Sequence, residues 1–116
     1  MSQRTFFEGR APVPAAEIEI ESVGVNPLDL RRVDVAVDFT PFRDPVNVEF
    51  VIVGPDDDEL CSIALVQNRQ WQLDKVMHLR QDAQPGSYIL HIGVFDGEEL
   101  ITRAARSFRF PAAQVE

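Results

Sequence analysis

Cysteine, tryptophan, tyrosine and lysine each occur once, as Cys61, Trp71, Tyr88 and Lys75. A single cysteine excludes an internal disulfide. The N-terminal stretch MSQRTFFEGRAPVPAAE contains only the pair Phe6-Phe7 as an apolar run. A secretory h-region needs about 7 apolar residues and a membrane span about 18, so neither is expected and the chain reads as cytoplasmic. Basic residues are also short: 11 against 19 acids, a net charge of -8. That balance excludes nonspecific nucleic-acid binding, which rests on neutralising phosphates, and docking on anionic membranes.

The usual chemical motifs are missing too. No G-x-G-x-x-G or Walker sequence offers a phosphate loop. His78, His91 and Cys61 fall on three different predicted strands, without the close spacing of a zinc site. The acids of PDDDE (55–59) are consecutive, whereas a calcium loop alternates its ligands to aim them at one centre. Cys61-Ser62 has no glycine elbow or helix start to activate a nucleophile. No cofactor, metal or catalytic residue is expected, and the chain is not read as an enzyme.

What is present is strand-like. The 116 residues, 45% hydrophobic, suit one domain able to bury a core. Residues 1–16 read as a flexible or draped arm, 17–111 as the domain and 112–116 as a tail. Within the domain, seven runs of roughly period two cover 17–23, 31–39, 46–53, 60–66, 71–80, 87–95 and 100–110. The cleanest is RVDVAVDF, which sets Val33, Val35, Val37 and Phe39 against Arg32, Asp34, Ala36 and Asp38. Turn signals separate the runs: NP at 26–27, TPFRDP at 40–45, GPDDDE at 54–59, QNRQ at 67–70, QPG at 84–86 and DG at 96–97. Only 65–80 leaves room for a helical turn.

Short strands in this number, with turns between them, predict an antiparallel β-sandwich. QPGSY (84–88), followed by Leu90, Ile92 and Val94, resembles the tyrosine corner and sixth strand of immunoglobulin-like and fibronectin type III-like domains. The resemblance implies an all-β, seven-stranded immunoglobulin-like sandwich. In the lettering of those domains its sheets are A-B-E and C'-C-F-G. It also implies that the Tyr88 hydroxyl caps upstream backbone. The antibody cysteine pair is absent, so the likeness extends to architecture and not to a named family.

Two surfaces are candidates for function. If Tyr88, Leu90, Ile92 and Val94 face inward, the sixth strand turns Ile89, His91, Gly93 and Phe95 outward. With Val51 and Val53 of the third strand and Ile101 of the seventh, these make an apolar outer face, the kind of patch that marks an interaction site. The interface residues expected are Val51, Val53, Ile89, His91, Phe95 and Ile101. The expected occupant is a second copy, giving a homodimer, or another protein; the alternative cover is the chain's own arm through Phe6, Phe7 and Val13. Gly93 fits close approach of another backbone or a bulge. The second surface is the loop end that gathers Phe42, Arg43, Arg69 and Asp96, where a small ligand or carbohydrate would sit. Phe42 there reads as an exposed anchor or as a plug in the end of the core. Arg103, Arg106 and Arg109 are expected to pair with Glu17, Glu19 and Glu21 across strands, with a bulge at Ala104-Ala105.

Overall fold

A computed structural model describes residues 10–110. Phe6 and Phe7 of the expected arm, and the tail from Pro111, lie outside the described residues. Seven antiparallel strands follow in order: β1 (Ile20–Pro27), β2 (Arg32–Phe39), β3 (Val46–Val53), β4 (Glu59–Asn68), β5 (Gln72–His78), β6 (Tyr88–Asp96) and β7 (Glu99–Phe108). They form two sheets, β1-β2-β5 and β4-β3-β6-β7, the arrangement the tyrosine-corner resemblance implies. The chain is an all-β sandwich. Among the described residues no helix is long and apolar enough to cross a membrane.

The sheets meet through the residues that period two marks as inward. Val33, Val35, Val37 and Phe39 of β2 pack with Val48, Phe50 and Ile52 of β3 and Leu90, Ile92 and Val94 of β6. All ten are essentially closed to water. Alternation of this kind fixes register, because a one-residue slip would turn every one of them to solvent. The β6–β7 turn has only Gly97 and Glu98 between the paired Asp96 and Glu99. Gly97 takes φ 64, a conformation that two-residue hairpins require and that costs glycine nothing.

Tyr88 closes the other end. Its hydroxyl accepts from the Gln84 N–H at 2.6 Å and donates to the Gln84 carbonyl at 3.1 Å, four residues upstream. The ring lies against Phe108 and Phe110, with centroids 5.8 and 4.9 Å away. One side chain thus ties the β5–β6 connection to the core.

Several expectations are corrected. The first strand is not 17–23: residues 15–17 form a 3-10 turn and β1 runs on to Pro27. A register shift between Ile20 and Ser22 resets the phase, so that Val23 and Val25 turn toward the core. Pro27 is tolerated because β1 is an edge strand, where a missing N–H costs no ladder bond. No helical turn occurs within 65–80, which holds the end of β4 and β5. The bulge in β7 sits not at Ala104-Ala105 but at Ile101, where the pairing steps from Val94–Thr102 to Phe95–Leu100. Nor, among the described residues, do Arg103, Arg106 and Arg109 form ion pairs with the first strand. Among the described residues, Glu21 is bound by Arg10 (Nη1–Oε1 3.0 Å), which with Thr40 holds its carboxyl below the usual carboxylate range.

The described part of the arm follows the β2–β3 connection. The Val13 N–H donates to the Pro41 carbonyl at 2.9 Å, and the Arg43 N–H donates to the Val13 carbonyl at 3.0 Å. Val13 therefore packs at the loop end of the core and does not cover the outer sheet face.

Candidate functional site: the outer face of the four-stranded sheet

The β3–β6 and β6–β7 registers place the outward residues in rows. Val53 stands beside Ile89 and Ser107; Val51 beside His91 and Ala105; Glu49 beside Gly93 and Arg103; Asn47 beside Phe95 and Leu100. Five of the six expected residues are thus brought together. Val51, Val53, Ile89 and Phe95 are half-buried among their neighbours, and His91 is exposed. Ile101 is not part of the face. As the bulge residue it turns inward and packs against the core, and Leu100 takes the outward place beside Phe95. The apolar pair Leu100-Ile101 was the only sequence signal for this. Either member suited either side, and the bulge alone decides which points out.

Val66 enlarges the face at the β4 margin, 73% exposed. A shallow groove of about 600 Å3 runs beside Phe95 and Leu100 to His91 and Arg103. Glu49 and Arg103 are the charged residues of the central row, both exposed. Neither forms an ion pair among the described residues; they stand on β3 and β7 with Gly93 of β6 between them.

Gly93 has a local explanation. A Cβ built there would lie 2.9 Å from Cε1 of Phe95 and 3.7 Å from Cδ1 of Leu100. The Phe95 ring folds over the glycine and fills the missing side chain's place, a common remedy for a glycine within a sheet. Neither a bulge at Gly93 nor the approach of a foreign backbone is needed.

The opposite sheet differs in kind. Its outer face carries Asp34, Ala36 and Asp38 from β2 and, from β5, Asp74 and the exposed Val76. Asp34 lies within hydrogen-bonding reach of the Asp74 carboxyl, and this contact, with burial and mutual repulsion, pushes its pKa above the ordinary value. Such a face stays wet. Cys61 is half-buried, and burial pushes its thiol up, so little thiolate forms near neutral pH.

At the loop end, the structure commits one residue of the expected ligand site to the core. Phe42 is 4% exposed and meets Phe39 edge-on at 6.3 Å. It is the plug of the core, not an exposed anchor. Trp71 is half-buried, and its indole N–H donates to the Phe42 carbonyl at 3.0 Å. Arg43, Arg69 and Asp96 remain exposed, but both aromatic rings of this end are committed to the fold.

No protein-family model matches the chain. No curated protein sequence matches it either. Solved structures do share the fold. A Parabacteroides merdae β-glucuronidase superposes with TM-score 0.66 at 13% identity, over 81% of this chain and 13% of that one. A glycosyl hydrolase family 2 member from Bacteroides cellulosilyticus gives 0.63 at 11% identity, over 80% and 15%. A multi-modular cell-surface chitinase from Paenibacillus gives 0.50 at 10% identity, over 89% and 9%. The chain therefore spans less than a sixth of these much larger proteins, and at such identities the likeness establishes the β-sandwich fold.

Proposed function

We propose that this domain is a non-enzymatic protein-interaction or assembly module whose docking surface is the outer face of the β4-β3-β6-β7 sheet. The observation that carries this reading is the asymmetry between the two sheets. One presents side-by-side carboxylates to water; the other presents Val51, Val53, Ile89, Phe95 and Leu100. Scattered apolar residues on a surface mean little, but a contiguous set on one sheet face is costly to leave in water unless something docks there. The occurrence of the fold as a small part of large glycoside hydrolases fits a modular role. The loop end is the weaker candidate, since a sugar platform needs exposed rings and Phe42 and Trp71 supply none.

An apolar dye tests the reading. At low protein concentration, 1-anilinonaphthalene-8-sulfonate is expected to brighten on the wild type and to lose most of that signal on Phe95→Glu. Val76→Glu serves as the control, because Val76 is exposed on the other sheet. A signal that Phe95→Glu leaves intact, or that Val76→Glu reduces equally, would contradict the assignment of the face.

A further inference from the structure

We propose that the occupant of this face is a second copy of the chain, stacked face to face about a twofold axis that runs along β6. The inference rests on the docking reading above and adds the partner and its orientation. It starts from Glu49 and Arg103. They flank Gly93 in one row, on strands β3 and β7. They stand side by side two strand spacings apart, about 9.6 Å, both on the outward side of the sheet, and do not pair within the chain. Rotation about an axis along β6 exchanges the two sides of that row. Glu49 of each copy then lies over Arg103 of the partner subunit, so the pair forms twice and each charge is matched once.

The same rotation matches the uncharged rows. Ile89, His91 and Phe95 lie on the axis and meet their own counterparts. Val51 falls over the small Ala105 of the partner subunit, so large and small residues interdigitate. Sheets stacked in this way keep their strands within about 30° of each other at about 10 Å separation, which both charged side chains can span. Charge also explains why the copies would meet here. Two chains of net charge -8 repel over most of their surfaces, whereas the Glu49–Gly93–Arg103 row sums to zero and is self-complementary, as an isologous contact requires. Only three strands of each copy overlap, so the pair belongs among weak, concentration-dependent associations.

A charge-swap cycle read by sedimentation equilibrium tests this, with thermal melts to confirm that each variant is folded. Arg103→Glu and Glu49→Arg are each expected to weaken self-association about 10-fold or more, since each sets like charges against one another at two places. The double variant E49R/R103E is expected to recover to within about threefold of the wild type. Single variants without effect, or a double variant as weak as the sum of the singles, would overturn the arrangement. Phe95→Glu separates this from the docking reading itself. If it dissociates the dimer but the swap gives no rescue, the face stands and the twofold arrangement falls. A wild-type dimer indifferent to Phe95→Glu and to both charge variants assembles elsewhere, for instance along the β4 edge, and both readings fall. A wild type that is monomeric throughout overturns the second copy. In that case the face survives only if the dye signal still depends on Phe95.

Discussion

Phe42→Ala is expected to destabilise the domain by about 3–5 kcal/mol, a large share of the about 5–15 kcal/mol that holds a domain of this size together. The ring sits between Pro41 and Arg43 in a connection rich in turn residues, where an exposed side chain would be unremarkable. Instead it is 4% exposed and closes the end of the core against Phe39. Truncation would leave a cavity that the neighbours cannot readily fill. The connection is pinned on one side by the bonds to Val13 and on the other by the Trp71 indole on the Phe42 carbonyl. Urea unfolding should show a midpoint lower by roughly 2 M with an unchanged slope. An exposed loop anchor would change stability by less than about 0.5 kcal/mol, and that result would return Phe42 to the candidate ligand site.

Tyr88 divides into two effects of different origin. Tyr88→Phe keeps the ring against Phe108 and Phe110 but strands the N–H and carbonyl of Gln84, which share one hydroxyl. The expected loss is about 1–3 kcal/mol. Tyr88→Ala removes the ring as well, and about 5 kcal/mol is expected from the combined loss of hydrogen bonds and packing. The pair of variants, measured by denaturant titration, therefore separates corner from core. Equal losses would mean that the hydroxyl does everything; a harmless Tyr88→Phe would mean that the corner bonds add nothing beyond water.

The strands were legible in the sequence, and the sheet order followed from the tyrosine-corner resemblance. Buried β-branched residues must alternate, and β2 writes that alternation without a fault from Val33 to Phe39. Tyr88 reads as a corner because QPG stops the chain just before it. The details that escaped are those in which a single residue breaks phase. Ile101 and Leu100 are equally apolar, so a bulge could turn either one inward. Val23, past a phase slip within residues 17–23, was legible as inward; Val25 was not, because Asn26-Pro27 reads as a turn and ends the strand too early. The role of Gly93 was readable in principle: a glycine two residues before an aromatic shares its face, and the ring can fold back over it. Phe42 reads as anchor or plug in the sequence, because the contact with Val13 that helps bury it comes from another part of the chain.

Assembly through the outer face of the β4-β3-β6-β7 sheet can be read from molar mass by light scattering across a concentration series. The wild type is expected to rise from monomer toward dimer as concentration increases. Phe95→Glu, folded and otherwise unchanged, should remain a monomer over the same range. A variant that assembles just as the wild type does would contradict the claim.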